Sequence, residues 1–571
     1  MKNIFLIAVF LFVFTSQAQE NNQNKGTLNV GIESNIQYLL FDELDNPVTN
    51  DNFRSNNYVN INYDIQKFSF GVQAEGYAPK ALLNYSPSYD KQIAFATAFA
   101  KYKTSKIEAT VGHFYEQFGS GLTLRSWEDR QLGINNALLG ARVKYNITSD
   151  IELTALAARQ RYGFKLSESN IYGFNSELNL SNMFNYEKTG LNIGLSFVGK
   201  DEPYVSTTPG FIGKDFPNYV YTTSTRVGFN QGGIYANAEY VYKSKDVRIE
   251  SGLVHEGAKF DGNAALLTLG YSKKGMGISG TFRRMENMSF YSERTASGNL
   301  YNEQIMNYIP GLTKQHDYSL TNIYVYVAQP LADFSNLSVD ADTGKVTGKV
   351  KDGELGGQID FYYKFKKKST LGGKYGTKLA VNFSHWTDLY TTLKQEGQTN
   401  IYDTNYTTDL LNYRTLYYRD LNIEVRKKWS KKVSSIFSYV NLFYNQNKLE
   451  GAEYGTVDAN IFVAESTYKL GHGRAVRAEI QHLWTVNDKK NWAAGTLEFN
   501  ASTKLAFFGT DMYNYGTTGN HYYNFGASYT KSKTRVALSY GKQRDGLLCV
   551  GGVCRVVQAA TGLNLNFVTS F

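Results

Sequence analysis

The chain has 571 residues and a formal charge of +9, with 44 Tyr, 35 Phe and only 2 Cys. Its mean hydropathy is −0.39, and no run of about 18 apolar residues follows residue 18, which excludes a helical membrane protein. Lys and Arg are spread among turns and alternating positions, which speaks against a nucleic-acid partner.

The N-terminus reads as a targeting segment. Lys2 precedes an apolar run from Ile4 to Phe14, and Ser16-Gln17-Ala18 supplies small residues at the −3 and −1 positions of a cleavage site. Residues 1–18 are therefore expected to be a cleaved signal peptide, with the mature chain starting at Gln19. The remaining residues, 19–571, show no linker and are expected to form one domain. All 8 prolines lie at or before Pro330, in stretches that read as turn or loop.

From residue 28 onward apolar and polar residues alternate. Tyr58-Val59-Asn60-Ile61-Asn62-Tyr63 shows the pattern, and Phe68-Ser69-Phe70-Gly71-Val72-Gln73 repeats it. So do Leu139-Gly140-Ala141-Arg142-Val143 and Leu191-Asn192-Ile193-Gly194-Leu195. Period-two alternation sends one set of side chains to each face of a strand. Tight turns at Gln66-Lys67, Thr104-Ser105 and Gln231-Gly232-Gly233 alternate with long polar loops at 41–56, 78–91, 200–218 and 388–417. This spacing predicts an all-β fold, a large antiparallel transmembrane β-barrel of roughly 24 to 26 strands with long external loops. The abundance of Tyr suits the lipid–water boundary of such a barrel, so outer-membrane lipid is an expected partner.

The densest polar constellation runs from Gly112 to Arg130. Glu116, Arg125, Glu128, Asp129 and Arg130, with Arg142 on the next strand, are candidates for a charged pore constriction on an inward-folded loop. The competing reading is a salt-bridged external loop that stiffens the rim. Further on, residues 246–256 are a doubtful strand. As a strand they put 287–317 on the periplasmic side; otherwise 287–317 is an external or inward-folded loop, the preferred reading, with a strand missing or extra within 330–355. Arg283, Arg284, Glu286 and His316 flank or belong to this loop. Together with the aromatic residues they suit either a sugar or peptide site or a plug-like loop packed in the lumen. Near the end, Cys549 and Cys554 enclose Gly551-Gly552, and in an exported protein a disulfide is the expectation. The last strand ends in Phe571 on the face of Leu563, Leu565 and Phe567, which resembles the signal read by barrel-assembly machinery. The seven His residues are scattered and no catalytic motif occurs, so neither an enzyme nor a metal site nor a cofactor is expected.

Four stretches carry a resemblance: 115–121, 308–316, 371–377 and the Cys549–Arg555 loop. They resemble those of an uncharacterised Bacteroidota outer-membrane barrel family of unknown function. The resemblance extends over nearly the whole mature chain and implies the barrel, without functional residues to carry over. Residues 19–27 are too few for a TonB-box region and a plug domain, and no peptidoglycan-binding domain is expected after Phe571. Two functions follow as expectations. The first is a porin-like barrel passing polar solutes through a charged, loop-constricted lumen. The second is a plugged structural or accessory subunit of an outer-membrane assembly, export or motility complex, with other outer-membrane proteins as partners.

Overall fold

The computed structural model describes residues 26–40, 52–83, 85–202, 216–250, 253–294, 303–332, 334, 336–394, 399–451 and 454–571. The expected signal peptide, its cleavage at Gln19 and most of the loops expected at 41–56 and 200–218 lie outside the described residues. The first wall strands are β1 (Thr27–Leu40), β2 (Phe53–Ile65), β3 (Phe68–Gly76), β4 (Ile93–Lys103), β5 (Ile107–Phe114) and β6 (Leu138–Asn146). They continue as β7 (Ile151–Tyr162), β8 (Asn170–Asn179), β9 (Thr189–Asp201), β10 (Tyr219–Gln231), β11 (Ile234–Glu250) and β12 (Leu253–Lys273). Next come β13 (Met276–Glu286), β14 (Asp352–Lys364), β15 (Thr377–Leu389), β16 (Leu416–Lys428), β17 (Val433–Tyr444) and β18 (Val457–Gly471). The wall ends with β19 (Arg474–Trp484), β20 (Trp492–Asn500), β21 (Leu505–Asn514), β22 (His521–Lys531), β23 (Thr534–Gln543) and β24 (Ala560–Ser570).

The main sheet holds 25 strands, but Lys165–Leu166 pairs only with the end of β7, which leaves a wall of 24. Each wall strand pairs antiparallel with its sequence neighbours, and β1 pairs with β24 from Gly31↔Ser570 to Leu40↔Thr561. The sheet is thus a closed barrel without edges. Phe571 extends the seam: its N–H donates to the Val30 carbonyl at 2.9 Å, and Val30 N–H returns the bond at 3.5 Å.

Short turns gather at one end of the barrel and long connections at the other. At this turn end Gly232-Gly233 and His472-Gly473 join their strands with positive φ at both central residues, as two-residue hairpin turns require. The loop end carries residues 77–92, 115–137, 287–351, 390–415 and 544–559. The alternation is honoured on the wall. Phe70, Val72, Val143, Leu195, Leu267, Leu269, Ile359, Phe437 and Leu538 are exposed on the outside, while their neighbours in sequence face the lumen. An apolar outer belt on a closed, edge-free sheet is the form in which strands cross a bilayer.

Two sequence expectations need correction. Residues 246–250 and 253–256 are stranded, as the tip of the β11–β12 hairpin, which runs on past the rim with register shifts after Lys243 and Val247. This tip adds no crossing, because alternation persists in a hairpin whether or not lipid surrounds it. No wall strand is missing or extra within 330–355 either. β13 pairs directly with β14, and residues 287–351 connect them at the loop end; their described residues include the short hairpin Leu337–Val339/Val346–Gly348 and a helical turn at Ser319–Asn322. The long loop expected at 388–417 is confirmed as 390–415, and β2 begins at Phe53, inside the loop expected at 41–56.

Parity gives a direct test. Leu267→Arg points outward at mid-strand and should destabilise the barrel by about 2–4 kcal/mol in urea unfolding from lipid vesicles, whereas Thr268→Arg, pointing inward, should cost clearly less.

Candidate functional site

The lumen is where the polar side chains meet, and three loop-end segments fold into it. The first, residues 115–137, follows β5. Glu116 accepts from Arg142 Nη1 at 2.9 Å and from Lys144 Nζ at 3.0 Å, and Arg142 also bonds Glu108 at 2.5 Å. Arg130 joins Glu128 at 2.9 Å and Glu33 at 2.5 Å, with its guanidinium 4.1 Å from the Tyr58 ring. Asp129 accepts from the N–H groups of Gln131 and Leu132, so it caps a turn. Arg125 stacks on Tyr308 at 3.7 Å. The six candidates therefore form two separate ion-pair groups, a cap and a stacking contact rather than one ring of charge. At the tip, Ser120 N–H donates to Glu239 on β11. Gly119 has φ +54°, a conformation that favours glycine, and a Cβ there would lie 2.5 Å from the Arg226 side chain on β10, which a larger residue would have to displace.

The second segment, 287–332, fills the other side. Arg283 bonds Glu354 at 2.5 Å and donates to the Pro310 carbonyl at 2.8 Å. Glu354 also accepts from Tyr326 Oη at 2.5 Å and from Gln329 N–H at 2.9 Å. Arg283 and Glu354 are 2% and 0% exposed, a buried charge pair whose oxygens are all engaged. Burial and the Glu354 carboxylate push the Tyr326 phenol well above its ordinary value. Tyr326 stacks on Trp386, whose Nε1 donates to Leu312 O. Tyr318, Leu320, Tyr324 and Tyr326 join inward-facing Tyr444, Val457, Ile461, Leu483 and Trp492 in one apolar cluster. His316 lies at the wall, its Nε2 2.7 Å from Asn422 Oδ1. Arg284, next to Arg283, points the other way. With Glu286 it lies on the outer side of the rim, bonded to Glu286 at 2.9 Å and to Leu410 O and Thr408 of the 390–415 connection. Neighbours in a strand face opposite sides, so the lumen loop engages only one of this Arg pair.

The third segment is the hairpin Gly546–Val550/Val553–Val557, closed by the expected Cys549–Cys554 disulfide. It meets the second segment inside the barrel, and the second meets the first. Gly311 N–H donates to Gly552 O at 2.7 Å, and Tyr308 Oη donates to Gly551 O at 2.8 Å. Tyr308 N–H donates to Gly121 O at 2.9 Å, and Arg125 N–H to Met306 O at 2.8 Å. Arg555 lies over Tyr85 of the 77–92 connection, and Tyr85 Oη donates to Arg130 O. Shared apolar clusters back these bonds. Phe118 and Leu124 pack with Phe290 and Met306 against Leu138, Ile171, Val198 and Val220, while Leu122 and Met288 pack against Val241 and Ala264. Each fully buried aliphatic or aromatic side chain is worth about 1.5–3 kcal/mol, so the loops are anchored.

Sequence reasoning missed the pair of Arg161 with Glu75 at 2.7 Å, both almost fully buried, and the bonds of Arg294 to Glu202 and Asp246. One signal was present. Ile171, Val198, Val220 and Ile461 are apolar on the inward parity near the loop end, where a watery lumen would ask for polar residues. Among the described residues no group of three or more His, Cys, Asp or Glu side chains is arranged to hold a metal.

Two predictions follow from these contacts. Arg283→Ala strands the Glu354 carboxylate and should destabilise the protein by about 3–5 kcal/mol, exposing 303–332 to protease, while Arg283→Met with Glu354→Leu should recover part of the loss. Burial holds the His316 imidazole below its ordinary value of 6.5 against the opposing bond to Asn422, with Lys314, Asp420 and Glu424 nearby. The folded state therefore favours neutral His316. Its contribution is complete above the ordinary value and is lost as pH falls through the depressed one. Unfolding midpoints measured between about pH 5 and 8 should show that loss, and His316→Asn should remove it.

No curated protein matches the chain. Among solved structures, the P pilus usher translocation pore aligns with a TM-score of 0.38 at 8% identity, over 95% of this chain and 99% of that one. A ferric enterobactin receptor mutant from Pseudomonas aeruginosa aligns with a TM-score of 0.43 at 10% identity, over 96% and 81%. A BenF-like porin from Pseudomonas fluorescens aligns with a TM-score of 0.34 at 10% identity, over 81% and 99%. At such scores these likenesses say nothing of what passes through or docks on this barrel. The chain belongs to a family of unknown function, DUF6029, whose model matches residues 1–571.

Proposed function

We propose that this chain is an outer-membrane barrel closed by its own loops, serving as a structural or accessory subunit of an assembly, export or motility complex. The observation that carries this reading is the junction of residues 121–125, 306–311 and 551–552 inside the lumen, made by backbone hydrogen bonds and apolar packing. Passive diffusion of polar solutes needs a continuous water path. A junction of paired backbone groups and dry side chains interrupts one, and the buried ion pairs on both walls oppose its displacement. The proposal carries with it export through the signal peptide ending at Ala18, insertion by assembly machinery reading Phe571, a Bacteroidota host and no catalytic role.

A second reading, the porin-like barrel, is favoured by one arrangement below the junction. Lys101, Lys103, Arg142 and Lys144 on β4 and β6 face inward near the turn end. About half the ring away, Glu424, Glu465, Glu479 and Glu498 on β16 to β20 surround Arg477 and Arg426. Charges of opposite sign across a lumen would orient dipolar solutes.

Single-channel recording separates the two. The folded wild-type protein, verified by heat-modifiable gel mobility, should be silent in a planar bilayer, and replacing 303–332 by a short Gly-Ser linker should produce stable ohmic steps. Ohmic steps from the wild type, with selectivity shifted in opposite directions by Lys144→Ala and Glu465→Ala, would instead establish the pore.

A further inference from the structure

The turns between β14 and β23 carry an uneven charge. Residues 364–378, 426–432, 469–474, 501–505 and 531–535 contain no Asp or Glu. The β14–β15 turn bears Lys366, Lys367 and Lys374, and the adjacent β16–β17 turn bears Lys428, Lys431 and Lys432, all exposed. The next three turns add Lys469, Lys504 and Lys533, also exposed. None of these nine lysines forms an ion pair among the described residues. In the other half of the barrel the turns 147–150 and 180–188 carry Asp150 and Glu187, and 66–67, 104–106, 232–233 and 274–275 hold only Lys67, Lys106 and Lys274 as charged residues between them.

Three further features say what this surface faces. The turns are short: 429–432, 501–504 and 532–533, with Lys469 just before the turn 472–473, hold their lysines within a few residues of the apolar outer belt at Tyr468, Phe499, Phe507 and Tyr529. Aromatic rings lie at the same level, with Lys427 over Trp429 at 4.9 Å and Lys428 over Tyr375 at 5.5 Å. Leu371, 63% exposed, stands at the tip of the β14–β15 turn among the lysines. Lysines, half-buried rings and an exposed leucine at the edge of an apolar belt match the depth at which lipid phosphates lie. An acidic protein would gain nothing from Leu371 and would have to reach charges held against the bilayer.

We propose that the turn end from β14 to β23 is a binding surface for anionic phospholipid, centred on the paired turns 365–376 and 429–432. The lysines supply the charge for the phosphates, and Leu371, Tyr375 and Trp429 supply the contact with acyl chain and glycerol. The surface makes the barrel prefer one lipid neighbour on one side of its circumference.

The test uses the full chain purified in a neutral detergent and mixed with equal amounts of phosphatidylglycerol and phosphatidylcholine, with retained lipid read by native mass spectrometry. The expected result is selective retention of phosphatidylglycerol. The combined variant Lys366→Gln, Lys367→Gln, Lys428→Gln, Lys431→Gln and Lys432→Gln should lower that preference by roughly tenfold or more. The same five positions changed to Arg should keep it, as should Lys67→Gln with Lys106→Gln on the opposite turns. Heat-modifiable mobility checks that each variant is folded. Equal retention of the two lipids overturns the proposal and leaves the surface to an acidic protein. An unchanged preference in the five-Gln variant also overturns it. Displacement of the lipid by excess inorganic phosphate overturns it in favour of a free-anion site, and persistence of the lipid under phosphate supports it.

Discussion

A backbone in lipid has no water to bond, so each N–H and C=O of the wall must find a partner within the protein. That requirement governs the rest of the structure. It forces β1 onto β24 across the full length of the chain, confines the described prolines to connections, and makes the outer face apolar by parity alone. It also sets the size of the lumen, because a ring of 24 strands is too wide for wall side chains to fill. The space left over is what the loops 115–137, 287–332 and 546–557 occupy.

Filling a lumen with loops raises a second problem. Loops bring backbone polar groups and charges into a space with little water, and each must be satisfied there. The solution is local and different on each wall. Glu116 gathers Arg142 and Lys144 beneath the first loop, Glu354 gathers Arg283, Tyr326 and Gln329 beneath the second, and Gly311 with Gly552 and Tyr308 with Gly121 bond through backbone atoms. A Cβ on Gly552 would lie 2.5 Å from the Gly311 carbonyl oxygen of the partner segment, and one on Gly311 would lie 2.4 Å from the Tyr326 carbonyl oxygen of its own segment. Charge satisfaction and close backbone approach therefore hold the same junction by independent means.

The wall was legible from the sequence because its information is local. Two-residue alternation and tight turns at Gln66-Lys67 and Gly232-Gly233 each state their role within a few residues. The Cys549–Cys554 pair was legible for the same reason. The lumen was not, because its contacts join residues far apart in the chain: Arg161 meets Glu75, and Arg294 meets Glu202. Alternation also could not say where the lipid ends, so the β11–β12 tip passed for a doubtful crossing. It could, however, have separated Arg283 from Arg284, since parity alone assigns them to opposite faces. The inward Ile171, Val198, Val220 and Ile461 were a further readable sign that something dry lies within.

The hairpin 546–557 sits between the last two strands; the 287–332 segment leans on it at Gly551 and Gly552, and Tyr85 of the 77–92 connection lies under Arg555. A ribosome therefore delivers the keystone of the lumen after nearly everything it must hold. Until then residues 308–311 lack the hairpin they bond to, and β1 has no partner for its outer edge. The seam and the keystone arrive within the same last residues. A truncated copy would lack both at once, so for this chain an incomplete wall and an unlocked interior are one and the same defect.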